Sequence, residues 1–103
     1  MTHAELEALL SHTNIPWTYH HWDSPPLPPY GVYLDLDDVL FYADNRTCFY
    51  AAMVRLEVYS LERDVHLDDA VRAVLDAAEI PYEANFTYIE SEGLYETIFE
   101  IEV

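Results

Sequence analysis

The chain contains no lysine, a single cysteine and two glycines, and it has no long uninterrupted apolar run. Each shortage removes a class of function. Four arginines, Arg46, Arg55, Arg63 and Arg72, face 20 Asp and Glu residues, for a formal net charge of -16 at pH 7. Binding to a nucleic-acid backbone gains affinity when lysine and arginine displace counterions from phosphates. Direct nucleic-acid binding is therefore disfavoured, and so is an anionic membrane. The acidity is compatible with a cationic protein surface, divalent cations, plain solubility, or mimicry of a nucleic-acid backbone. Cys48 stands alone in the apolar run Cys-Phe-Tyr-Ala-Ala-Met-Val, so neither an internal disulfide nor a cysteine-based zinc site can be built on it. A buried, inert thiol is expected. With only Gly31 and Gly93, glycine-rich phosphate loops and long flexible linkers are excluded. The opening Met-Thr-His-Ala-Glu-Leu-Glu has no positive n-region or long apolar h-region, and no stretch reaches the roughly 20 apolar residues of a bilayer span. Synthesis in the cytoplasm, without membrane contact, is the expectation.

What is present is apolar and aromatic: 51% hydrophobic residues, with nine Tyr, four Phe and two Trp among 103 residues. That is enough apolar area to offset ordering entropy, and the length suits one compact domain over 1–103. Thr2 and Glu5 have capping-box spacing before Leu6, Leu9 and Leu10, which predicts a first helix over about 3–12. It should end before Asn14-Ile15-Pro16. Trp17–Trp22 reads as a strand, and Asp23–Pro29 as a stiff proline-rich loop. Tyr30–Leu36 and Val39–Tyr42 read as a hairpin or a bulged pair joined at Asp37-Asp38, with a turn at 43–46. From Thr47 to Tyr59 runs a long strand, expected to be central, with Val54, Leu56 and Val58 on one face and Arg55, Glu57 and Tyr59 on the other.

A second helix follows, capped by Asp64, with Leu67, Ala70, Val71, Val74, Leu75 and Ala78 on one stripe and Pro81 past its end. Tyr82–Glu90 and Leu94–Val103 are alternating strands joined by a turn in which Gly93 can take a positive φ. In the last strand an apolar face alternates with Glu96, Glu100 and Glu102. The fold class is α+β: a mostly antiparallel sheet with two helices packed on one face.

Organised chemistry is sparse. His20 and His21, as strand neighbours, should point to opposite faces and so cannot chelate one metal together. His3, His12 and His66 sit at or near polar helix ends, where solvation is the default. Asp35, Asp37 and Asp38 have the oxygen spacing of a calcium loop but lack its glycine and its later bidentate glutamate; a solvated hairpin tip explains them better. There is no Gly-x-Ser-x-Gly elbow, no phosphate loop and no base beside Cys48. No catalytic, cofactor or metal residues are therefore assigned, and the chain is not expected to be an enzyme.

Several runs carry a family likeness: Val54-Arg55-Leu56-Glu57-Val58-Tyr59-Ser60, Ile80-Pro81-Tyr82-Glu83, Thr87-Tyr88-Ile89-Glu90-Ser91-Glu92 and Tyr95-Glu96-Thr97-Ile98-Phe99-Glu100. Upstream, Pro28-Pro29-Tyr30-Gly31-Val32-Tyr33-Leu34 and Phe41-Tyr42-Ala43-Asp44-Asn45 continue it. Over about residues 28–103 the chain resembles the small tail-completion, or tail-terminator, proteins encoded among the head-tail joining genes of siphophages and prophages. The resemblance implies a structural protein of the virion tail, made in the bacterial host. It would self-associate into a hexameric ring on the tail tube, contact the major tail-tube protein and the head connector protein, and let DNA pass without specific binding. Carboxylates lining such a conduit would repel DNA, and tyrosines with polar tips suit interfaces. Candidate lumen or interface residues are accordingly Asp35, Asp37, Asp38, Tyr30, Tyr59, Glu96 and Glu100. The alternative is an acidic DNA-mimic inhibitor that binds a basic host protein. A carboxylate-based metalloenzyme or hydrolase has the least support.

Overall fold

A computed structural model describes residues 2–36, 39–43, 46–51 and 53–102, with backbone alone for 39–43 and 46–51. The first helix, α1, spans His3–Leu10. Thr2 caps it: its hydroxyl accepts from the Glu5 N–H at 3.2 Å, while Glu5 reaches back to the Thr2 backbone, so both halves of the expected capping box are formed. The helix tightens into a 3₁₀ turn at Ser11–Thr13 and stops at Asn14, which adopts the left-handed conformation at φ 63°. Short strand β1, Trp17–Tyr19, follows. It is half as long as the sequence suggests because His20 turns at φ 69° and the His21 N–H returns to the Tyr19 carbonyl at 2.8 Å.

The strands β2 (Tyr30–Asp35), β5 (Met53–Ser60), β6 (Tyr82–Ile89) and β7 (Leu94–Glu102) join β1 in a five-stranded sheet of order β1-β2-β5-β7-β6. All of its pairings are antiparallel except β1 with β2, so the α+β class inferred from patterning is the observed one. Of the long central strand expected over Thr47–Tyr59, the part within β5 occupies the middle position of this sheet, while Arg46–Ala51 is a separate strand of another sheet. One pairing expectation fails. Tyr30–Asp35 does not turn back on Val39–Ala43 (β3); it pairs with β5, and the Leu36 N–H carries the ladder on to the Met53 carbonyl at 2.8 Å. β3 pairs instead with β4, Arg46–Ala51, in a separate two-stranded sheet whose register runs from Val39↔Ala51 to Ala43↔Arg46. Asp37 and Asp38, at the expected turn, lie outside the described residues. β2 and β5 thus pair in the main sheet, while β3 and β4, which lie between them in the chain, form a second two-stranded sheet, the arm.

The Cα radius of gyration is 14.9 Å and the principal extents are 50 × 30 × 24 Å, whereas a compact chain of this length would have a radius near ~13 Å.

Helix α2 spans Val65–Ala77, capped by the Asp64 carboxylate on the His66 and Leu67 N–H groups. Its residues Leu67, Val71 and Leu75 join Leu6 and Leu10 of α1 against Tyr33, Val54, Leu56, Val58, Phe99 and Ile101 of the sheet, all buried. Strand alternation puts those sheet residues on one face, so both helices cover that face. Gly31 permits the close approach of β1: a Cβ there would lie 2.4 Å from the Trp17 ring.

Candidate functional site

The residues left on the other face of the sheet follow from the same alternation. Tyr30 and Val32 of β2, Arg55, Glu57 and Tyr59 of β5, and Glu96, Ile98 and Glu100 of β7 all point away from the helices. Cross-strand register brings Tyr30 opposite Tyr59 and Tyr59 opposite Glu96, with Arg55 opposite Glu100. Four of the candidate residues, Tyr30, Tyr59, Glu96 and Glu100, thus share one surface although they are spread over 70 positions of the chain. Asp35 lies on the helix side, where it accepts from the Tyr19 hydroxyl at 3.0 Å and pairs with the His3 imidazole at 3.0 Å. Those hydrogen bonds, that of His3 foremost, hold its carboxyl below the usual aspartate range. Asp37 and Asp38 are outside the described residues, as is any calcium-like arrangement that would need them.

The open face is more structured than a solvated acidic strip. Tyr30 and Tyr59 stack with ring centroids 5.3 Å apart, and the Tyr59 hydroxyl donates to Glu57 Oε1 at 3.2 Å. Glu96 is only 8% exposed. Burial, followed by the neighbouring negative charge of Glu96, pushes the Glu57 carboxyl up. The Tyr59 phenol is pushed up by burial first and by the same two carboxylates. Further along, Arg55 Nη2 meets Glu100 Oε1 at 3.1 Å, with both side chains about one-third exposed; Arg55 Nε is buried without a partner. Glu57 was not among the sequence candidates, although its place on the polar face of β5 was read correctly. Its partner Glu96 is 39 positions away, and only the β5–β7 register brings the two carboxyls together.

One end of this face is roofed by the loop after β1. The Trp22 indole N–H donates to the Gly31 carbonyl at 3.1 Å, and its ring meets Tyr30 edge-on at 6.3 Å. His20 and His21, expected on opposite faces, instead lie together, with their Nδ1 atoms 3.0 Å apart, because the strand that would have separated them ends at Tyr19. Around these side chains is a hollow of about 200 Å³ that also reaches Glu57, Tyr59 and Glu92. Among the described residues, no group of three or more His, Cys, Asp or Glu side chains is placed to hold a metal ion, and no helix is long and apolar enough to cross a membrane.

The outer strand β6 forms a second surface. Phe86 and Tyr88 are 45% and 47% exposed, and both rings contact Tyr95. Arg63 lies 4.0 Å above the Phe86 ring while bonding Asp68, a carboxylate only 3% exposed. Comparison of the chain with protein-family models and with curated proteins finds no match to either.

Proposed function

We propose that this chain is a structural tail-completion protein that assembles as a ring at the head-proximal end of a phage tail tube and joins it to the head connector. The observation that carries this reading is the β3–β4 arm. Two-stranded ribbons are marginal in water on their own, and this one is apolar in sequence, with Arg46 the sole charged residue among 39–43 and 46–51. A second protein surface against which it can pack would offset its ordering cost. The unpaired outer edge of β6 and the tyrosine-rich open face add surfaces suited to protein contact. Glu83 and Glu102, on the open face of β6 and β7, would give a DNA conduit the repulsive lining it needs. The likeness of residues 28–103 to tail-completion proteins names the assembly that these surfaces would serve.

Light scattering on the chain alone, and on the chain mixed with tail-tube protein, tests the proposal. The expected outcome is a discrete oligomer, or one formed at tube ends. A chain that stays monomeric and never binds tubes would remove the reading.

A further inference from the structure

The loop after β1 folds Trp22 back over the open face of the sheet and closes the hollow of about 200 Å³ on Tyr30 and Tyr59. Trp22 meets Tyr30 at an interplanar angle of 63°, while Tyr30 lies closer to parallel with Tyr59, at 28°. The rings therefore form a corner, to which Pro25 and Val32 add apolar surface. Two carboxylates stand beside it, Glu57 on β5 and Glu92 in the β6–β7 turn. The field of Glu92 reaches the corner: after burial, it is what pushes the Tyr30 phenol up. His20 and His21 line the hollow too, and their charge counts in the opposite direction. With the two Nδ1 atoms 3.0 Å apart, one ring accepts from the other, so the pair can carry one positive charge but not two without turning two N–H donors on each other. Asp23 faces His21 Nε2 at 3.1 Å. At most one positive charge is thus set against the carboxylates Glu57, Glu92 and Asp23, and the hollow is net negative.

A negative hollow with aromatic walls selects a cation, and the chemistry of the walls selects which kind. A metal ion is a poor fit, because among the described residues no three His, Cys, Asp or Glu side chains converge as its ligands. Several polar atoms are already paired with one another: the Tyr59 hydroxyl with Glu57, His20 with His21, and His21 with Asp23. A guanidinium brings five N–H donors that each want an acceptor, whereas a quaternary ammonium brings none and is held by aromatic faces through its methyl groups and diffuse charge. The volume lies below the roughly 300–1,000 Å³ of drug-sized ligand sites, which limits the occupant to a headgroup. We propose that the Trp22–Tyr30–Tyr59 corner, with Glu57 and Glu92 beside it, is a binding site for a small, free quaternary ammonium cation of the choline type. Such a cation also offsets the repulsion between Glu57 and Glu96, which adds to burial in raising the Glu57 carboxyl. The site is complete within one chain and does not depend on ring formation, so it stands or falls apart from the proposed tail role.

Choline titrated into the full chain at fixed ionic strength, followed by NMR of the aromatic and indole resonances, tests the site. Saturable shifts are expected at Trp22, Tyr30 and Tyr59, with a dissociation constant of about millimolar or tighter from a few cation–π contacts. Dimethylbutanol, the neutral carbon isostere of choline, should bind at least about ten-fold more weakly. Phosphocholine, whose phosphate meets an acidic surface, should also bind more weakly than choline. Tyr59→Ala should weaken choline binding about ten-fold. Glu92→Lys changes an exposed turn residue, so it should weaken binding by a similar factor while leaving the thermal midpoint in place. Tyr88→Ala, on the helix side of the sheet, should leave binding as it is. Shifts that rise linearly without saturating, equal binding of the neutral isostere, or full affinity in Glu92→Lys would overturn the site. Phosphocholine binding as tightly as choline, or an arginine amide binding more tightly, would overturn the assignment to a free quaternary ammonium.

Discussion

At the scale of single residues, the open face and the β1–β2 contact make distinct demands. Gly31 is needed for the room it leaves: Trp17 is fixed by its indole N–H on Thr13 Oγ1 at 2.8 Å, so a methyl group 2.4 Å from its ring would force the indole or β1 aside. Gly31→Ala should cost about 1–3 kcal/mol, the usual range for overpacking, read as a lower midpoint in a denaturant melt; an unchanged midpoint would show that β1 gives way freely. Glu57 makes the opposite kind of prediction. Its folded pKa is raised, so it contributes stability below its unfolded value that is lost as pH rises through the folded value. Glu57→Gln should therefore stabilise the chain at pH 7 and flatten the gain that the wild type shows on acidification towards pH 5. Asp35, whose pKa is lowered by His3 and Tyr19, works the other way: its contribution is present above its unfolded value and lost as pH falls through the folded one. Equal pH slopes for wild type and Glu57→Gln would contradict the assignment. None of these pairings is visible in local sequence, because each joins residues brought together by register or by a loop.

At the scale of elements, patterning served where a segment's partner does not alter its period. The Asp64 cap, the α2 stripe, the alternation of β5 and the Gly93 turn all follow from neighbours a few residues apart, and all are present. Asp64→Ala should accordingly lower stability by about 1 kcal/mol through loss of the cap, measurable by thermal melting. Patterning failed where a non-local choice decides. Tyr30–Asp35 has a strand's composition whichever neighbour it takes, and only the β2–β5 register, carried on to Leu36 and Met53, shows that it pairs with β5 instead of folding back on β3. Likewise, Trp17–Trp22 has a strand's composition throughout, yet the left-handed turn at His20 ends it early and creates the roof of the hollow. The core among the described residues is drawn from α1, α2, β2, β5 and β7 and from Ile80 beyond α2, so the arm should be separable from it. Replacing residues 37–52 with a short turn should leave a folded chain, reduce the radius of gyration in small-angle scattering towards the ~13 Å of a compact chain of this size, and abolish self-association. Loss of cooperative unfolding in that variant would show that the arm is part of the fold after all.

At the scale of the whole molecule, charge and shape act together. Copies carrying -16 each repel one another at long range, so the proposed assembly would have to depend on short-range contacts that bury apolar and aromatic surface, and moderate salt should favour it by screening the general repulsion. The surfaces that the proposed tail-completion role would use could be located only once the strands were in register, because they join residues of β2, β5 and β7 far apart in the chain. The most direct measurement is electron microscopy of tail-tube polymer grown with and without the chain. The account requires a ring-shaped density at one end of each tube and a shorter, narrower length distribution; tubes with bare ends and unchanged lengths at saturating chain would contradict it.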